Sequence, residues 1–285
     1  MTPKEKELLI DSDTFCMLPW LHLHAFPDGR AYPCCFALDQ YPVGDLNKDS
    51  METVFNSKDM KKMRLNMLDD KPSRQCTKCY DQEKSGFFSL RLSSNKHFGH
   101  NIGMVDNTNG DGSADCIIKY WDIRFSNLCN MACRSCGTWF SSNWYEDHKK
   151  LTGKPPDHAK IMRVGRTADD IWEQMLKQFD HVEQFYFAGG EPLLYPEHYK
   201  ILPSIHSWSL DPERISDGKK VVQDFCSLPR LCPSCARVER SKVIDSILDS
   251  VRLIIKGKKF PILGYDWRFI TLTVKTDGHY KKAVA

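Results

Sequence analysis

The sequence lacks any long apolar run: none of its 285 residues lie in a stretch approaching the roughly 18–20 apolar residues that a membrane-spanning helix needs. Its start lacks the pattern of a signal peptide. Met1 to Asp13 interleave Lys4 and Lys6 with Glu5, Glu7 and Asp11, with no apolar stretch behind a basic beginning. These absences predict a cytoplasmic protein without a membrane partner. No internal repeat is visible. What is present, 41% hydrophobic and 27% charged residues, is ordinary for a globular chain long enough for two modest domains.

Cysteine is the residue in excess. The twelve cysteines fall in clusters: Cys16, Cys34 with Cys35, Cys76 with Cys79, Cys116, Cys129 with Cys133 and Cys136, and Cys226 with Cys232 and Cys235. In a reducing compartment such clusters point away from disulfides and towards soft metals, chiefly zinc or iron–sulfur centres. The formal charge of +3 is also uneven. Residues 212–285 carry 15 Lys and Arg against 8 Asp and Glu, so the remainder of the chain is acidic. A basic tail on an acidic body suggests a nucleic-acid contact or a segment of separate origin, and an ordinary solvated surface would look the same.

Patterning along the chain predicts local structure. Cys16 to His24 reads as a strand, with Leu21 and Leu23 on one face and His22 and His24 on the wetter one. Pro27-Asp28-Gly29-Arg30 is a turn, and Ala31 to Phe36 a return strand. Two helices follow, capped by Asp49 or Ser50 and by Ser57, the second carrying Met60, Met63 and Met67 as a core stripe. Cys76 and Cys79 are expected in a loop. Residues 100–115, rich in Gly, Asn and Asp, read as a linker. Ile117 to Phe125 reads as a buried strand, followed by the cysteine loop and a helix from about Ser141 to Leu151. A further helix, about Ala168 to Phe179, has Thr167 as cap and Ile171, Met175 and Leu176 facing inward. Val182 to Phe187 is a second strand ending in Ala188-Gly189-Gly190-Glu191-Pro192. In the tail, Val243, Ile244, Ile247, Leu248, Val251 and Ile255 form one helix face, and Trp267 to Val274 a strand.

Cys129-x3-Cys133-x2-Cys136 places three thiolates on one tight loop. They can hold three irons of a [4Fe–4S] cube and leave the fourth iron open for chemistry. A structural zinc would want a fourth ligand, and no Cys or His lies close by in sequence. A strand leading into this spacing, with a later strand ending in Gly-Gly-Glu-Pro, resembles the radical S-adenosylmethionine superfamily. The resemblance implies that the open iron binds the amino and carboxylate groups of S-adenosylmethionine, that Glu191 accepts hydrogen bonds from its ammonium, and that Gly189 and Gly190 allow close backbone approach. It also implies hydrogen abstraction by a 5′-deoxyadenosyl radical from a peptide or other substrate, with electrons from a reductant such as ferredoxin or flavodoxin. The family often has a large apolar residue just before the third cysteine. Here that residue is Ser135, and Trp139 or Phe140 is the candidate to replace it near the adenine.

Cys16-Met-Leu-Pro-Trp20, Gly29, Cys34, the Arg64-bearing helix and Cys76-x2-Cys79 resemble the auxiliary-cluster modules called SPASM and twitch. By that resemblance Cys16, Cys34, Cys76 and Cys79 hold an auxiliary [4Fe–4S] cluster, with Cys35 in reserve and zinc as the competitor. The full seven-cysteine pattern is absent, and Ser85 occupies one of its places. The tail faintly resembles plasmid rolling-circle replication initiators, without their histidine and tyrosine motifs.

The expected fold is therefore α/β: an incomplete (β/α) barrel of the radical S-adenosylmethionine type behind a small Cys-rich α+β module. The boundaries are 1–98 for the auxiliary module, 99–116 for the linker, 117–210 for the partial core and 211–285 for the basic tail. The competing function is a non-catalytic zinc or iron–sulfur protein whose tail contacts nucleic acid.

Overall fold

The structure, a computed structural model, describes residues 2–167 and 169–201, together with the backbone of two strands, Val221–Phe225 and Ile270–Val274. The helix face expected from Val243 to Ile255, and Cys226, Cys232 and Cys235, lie outside the described residues. The chain divides into two compact units, Met1–Asp122 with Gly165–His181, and Ile123–Val164 with Val182–Ala285. Among the described residues no helix is long and apolar enough to cross a membrane.

The first unit is built on a hairpin. β1 (His22–Ala25) pairs antiparallel with β2 (Arg30–Tyr32), which pairs antiparallel with β3 (Gly44–Asp45). β4 (Tyr120–Ile123) lies on the other side of β1. Gly29 makes the turn with φ +92°, a conformation that a side chain would strain. The strand expected from Cys16 begins later. Leu18–Leu21 is one turn of helix, because Pro19 sits in its first turn, where a missing N–H costs nothing. The return strand likewise ends at Tyr32, so Cys34 and Cys35 stand in a turn beyond it.

The two capped helices are Met51–Phe55 and Lys58–Leu68; Ser50 Oγ accepts from Thr53 N at 3.2 Å and Ser57 Oγ from Met60 N at 3.4 Å. Met60, Met63 and Met67 are buried as a core stripe. Cys79 lies on the helix Thr77–Lys84 rather than in a loop. The stretch 100–115 contains the short helix Gly103–Asp106 and a turn that docks onto the Lys58–Leu68 helix, where a Cβ on Gly112 would meet Lys61 O at 2.3 Å. The segment from Gly165 to His181 belongs to this unit through two glutamines. Gln174 Oε1 accepts from Met51 N at 2.7 Å and Gln178 Oε1 from Ile118 N at 2.9 Å. Its helix, Asp170–Leu176, has Asp169 rather than Thr167 at the cap position. Ile171 and Met175 are buried, whereas Leu176 is half exposed.

His22 and His24 are fully buried, contrary to their reading as the wet face of a hairpin. The face they occupy is covered by β4 and aromatic rings. His22 Nδ1 bonds Tyr120 O at 2.8 Å and its ring stacks on Tyr120; His24 Nδ1 bonds Asp122 Oδ2 at 2.8 Å. Burial pushes the His22 pKa down from 6.5 to about 4. On acidification the unfolded chain therefore binds this proton first, and stability is lost as pH falls from about 6.5 to about 4. The loss should reach about 3 kcal/mol by the lower limit. Thermal unfolding at pH 7 and pH 4.5 checks this: His22→Phe should lose less stability between the two than wild type, and an equal loss refutes the assignment.

In the second unit, Gln184–Phe187 forms β5, with Phe185 and Phe187 buried. β5 pairs parallel with β6 (Val221–Phe225), and β6 pairs antiparallel with β7 (Ile270–Val274), which lies within the strand expected at Trp267 to Val274. The helix Tyr145–Thr152 follows a short 3-10 turn, Ser142–Trp144. The class is thus mixed α/β with parallel and antiparallel pairs, and the described strands do not close into a barrel.

Candidate metal centres

Four thiols of the first unit, from three separate places in the chain, each lie within electrostatic reach of at least one of the others. Cys16 precedes the Leu18–Leu21 helix, Cys34 follows β2, and Cys76 and Cys79 flank the start of the Thr77–Lys84 helix. Burial raises the pKa of every one, to about 12 for Cys76. Cys76 lies close enough to both Cys16 and Cys34 to add to their shifts, and Cys79 to those of Cys16 and Cys76. Buried thiols that repel one another as thiolates stay protonated near neutral pH, and a bound cation would favour their ionised form.

The surroundings of these thiols are hydrogen-bond donors. Backbone N–H groups of Leu18, Phe36 and Arg91 point to Cys16, Cys34 and Cys79 respectively, and the Tyr80 hydroxyl bonds the Cys76 thiol. Donors on sulfur are a recurrent feature of iron–sulfur sites. Among the described residues no group of three or more His, Cys, Asp or Glu side chains is gathered for a single metal ion.

In the second unit the Cys129 loop follows β4 in the chain and is held by residues that its cysteine spacing does not mention. Cys129 N donates to Ser142 Oγ at 3.1 Å, Ser141 Oγ donates to Met131 O at 2.6 Å, and Trp144 Nε1 donates to Cys133 O at 2.9 Å. Asn127, fully buried, ties the strand end to two further segments. Its Nδ2 donates to Thr138 O and Lys160 O, both at 3.1 Å, and its Oδ1 accepts from Met162 N at 2.8 Å. Cys133 is buried, and Cys129 and Cys136 are partly exposed. Trp139 lies against His158, with ring centroids 4.5 Å apart, while Phe140 sits under the Arg124 guanidinium at 5.2 Å.

The Gly-Gly-Glu segment is fastened to this loop. Gly190 N donates to Ser126 O at 3.1 Å and Glu191 N to Leu128 O at 2.8 Å; Tyr195 Oη donates to Ser126 O at 2.6 Å. Here Gly189 and Gly190 make room for backbone: Cβ atoms on them would fall 2.8 Å from Ser126 O and 2.2 Å from Leu128 O. Glu191 Oε1 accepts from Leu193 N at 3.2 Å; burial raises its pKa, and its charge reaches Cys129. Sequence spacing therefore located both motifs but not Asn127, Ser141, Ser142 and Trp144. A Ser-Ser pair five residues beyond the last cysteine was the available signal.

No curated protein and no solved structure matches the chain. Residues 16–80, which contain Cys16, Cys34, Cys76 and Cys79, match the model of the SPASM domain, an iron-sulfur cluster-binding domain.

Proposed function

We propose that the chain is a radical S-adenosylmethionine enzyme with two [4Fe–4S] centres, a catalytic one on Cys129, Cys133 and Cys136 and an auxiliary one on Cys16, Cys34, Cys76 and Cys79. The auxiliary assignment rests on the SPASM match and on the electrostatic reach among the four thiols. The observation that carries the catalytic assignment is the pair of backbone hydrogen bonds from Gly190 and Glu191 to Ser126 and Leu128, with the Glu191 carboxyl within electrostatic reach of Cys129 in the three-cysteine loop. Bound there, the cluster would supply one electron to cleave the sulfonium of S-adenosylmethionine, and the resulting 5′-deoxyadenosyl radical would abstract hydrogen from substrate. Glu191 would hold the cofactor's ammonium, a charge-assisted contact strengthened by its burial. The strands described here would be part of an incomplete barrel, and the substrate would be a peptide or another molecule. Electrons would come from a reductant such as ferredoxin or flavodoxin.

Anaerobic reconstitution should load about eight irons per chain, with matching sulfide, for two cubes. The triple variant Cys129→Ala, Cys133→Ala, Cys136→Ala should keep about four, and should release no 5′-deoxyadenosine from S-adenosylmethionine under reduction, where wild type does. Stoichiometric zinc without iron would overturn the reading in favour of a non-catalytic zinc protein.

A further inference from the structure

Within electrostatic reach of Cys16, Cys76 and Cys79 lies a buried ion pair that neither the cysteine spacing nor the proposed chemistry explains. Arg91 is the second residue of the helix Leu90–Phe98, whose cap is Ser89, and its side chain is 4% exposed. Its Nε donates to Glu83 Oε1 at 2.9 Å, and a second, shorter contact joins Nη2 to Glu83 Oε2, so the pair is bidentate. The other terminal nitrogen, Nη1, donates to Ser12 O at 2.8 Å and Phe15 O at 3.0 Å, and Phe15 immediately precedes Cys16. Glu83 stands one helical turn after Cys79 on the helix Thr77–Lys84, and the backbone N–H of Arg91 bonds the Cys79 thiol. The guanidinium thus touches the chain at one ligand position and is tied to the helix of another, and its charge acts on Cys16, Cys76 and Cys79.

A cube on four thiolates is anionic, and gaining an electron makes it more so. A fixed cation at its edge favours the reduced form, and a carboxylate on that cation takes part of the benefit back. A purely structural clamp would not need a full charge. Ser89 already caps the helix, and the Ser12 and Phe15 carbonyls could be met by neutral donors. We propose that the Arg91–Glu83 pair sets the reduction potential of the auxiliary cluster, Arg91 raising it and Glu83 trimming it. The inference rests on the assignment of Cys16, Cys34, Cys76 and Cys79 as cluster ligands.

The test is a redox titration of the full chain carrying Cys129→Ala, Cys133→Ala and Cys136→Ala, so that only the auxiliary cluster reports. It is read by electron paramagnetic resonance. Glu83→Gln, which keeps the shape and the hydrogen-bonding oxygen, should raise the reduced-to-oxidised ratio at fixed potential about tenfold, an upward shift of about 59 mV for a one-electron couple. Arg91→Met should move the ratio in the opposite direction by at least as much, and Arg91→Lys should lie between. An unchanged potential in Glu83→Gln, or shifts of the same sign in Glu83→Gln and Arg91→Met, overturns the proposal. Glu83→Gln alone decides it if Arg91→Met does not fold. A parent protein that holds no iron fails at the earlier step, the ligand assignment itself, and takes this inference with it.

Discussion

Gly190→Ala should strip the Cys129 loop of its cluster while leaving the auxiliary cluster in place. The added methyl carbon would lie 2.2 Å from Leu128 O and 2.7 Å from both Asn127 C and Leu128 C. All three are backbone atoms, so no rotamer change relieves the contact. The chain has to part, and the bonds Gly190 N to Ser126 O and Glu191 N to Leu128 O go with it. Overpacking and two broken buried hydrogen bonds together cost about 4 kcal/mol. The Cys129 loop then loses its support on the Glu191 side, and Glu191 loses its position beside Cys129. Iron content should fall from about eight to about four, with release of 5′-deoxyadenosine abolished. Gly103→Ala is the control, since a methyl there meets nothing within 4 Å; it should retain full iron. Full iron in Gly190→Ala would mean that the Gly-Gly-Glu segment and the cysteine loop are not mechanically linked.

Much of this arrangement is legible in sequence because it is encoded by local chemistry. Gly29 in its turn, Ser50 and Ser57 at helix starts, and the Met60, Met63, Met67 stripe each follow from residues a few positions apart, and all are found where expected. What could not be read is decided by the other side of a contact. Alternation assigned His22 and His24 to one face correctly, but only β4 and its Tyr120 and Asp122 make that face dry. Pro19 stands in the stretch whose alternation reads as a strand, and the chain around it closes into a helical turn instead. Leu176 fits the apolar stripe of its helix by spacing, yet half of it remains in water. The two glycines before Glu191 were read for close approach to a cofactor, and the approach observed is to the backbone of Ser126 and Leu128. Arg91 had no signal at all: it lies beyond the last cysteine of the module, and besides Glu83 its partners are two carbonyls nearly eighty residues earlier.

Arg64→Met should be the most destabilising single change in the first unit, costing about 4 kcal/mol. Arg64 is fully buried on the Lys58–Leu68 helix, and no carboxylate pairs with it among the contacts described. Its guanidinium is held instead by carbonyls. Nε donates to Pro19 O at 2.9 Å, Nη2 to Phe55 O at 2.8 Å, and Nη1 to Gly112 O at 3.1 Å and Asn56 Oδ1 at 3.0 Å. Pro19 and Phe55 belong to the helices Leu18–Leu21 and Met51–Phe55, and Phe55 is the last residue of its helix. Helix C-termini offer unpaired carbonyls and the negative end of the backbone dipole, so they can solvate a cation where water cannot. The Phe55 ring adds a face, 4.3 Å from the guanidinium carbon. Burial lowers the pKa only to about 10, so the group stays charged at neutral pH. Methionine fills the volume but leaves the carbonyls of Pro19, Phe55 and Gly112 without donors, at about 1–3 kcal/mol each before relaxation. Asn56 keeps its two bonds to Ala114 and suffers less. Lysine retains the charge but is a single point that cannot span carbonyls arriving from three segments, so Arg64→Lys should fall between wild type and Arg64→Met. Because Pro19 lies three residues beyond Cys16, loosening this knot should also reduce iron on the auxiliary site while sparing the Cys129 loop. Urea unfolding of the iron-free protein, compared at unchanged slope, measures the first effect. A cost below about 1 kcal/mol, within the range of ordinary surface changes, would show that the three carbonyls find other donors and that the guanidinium is dispensable.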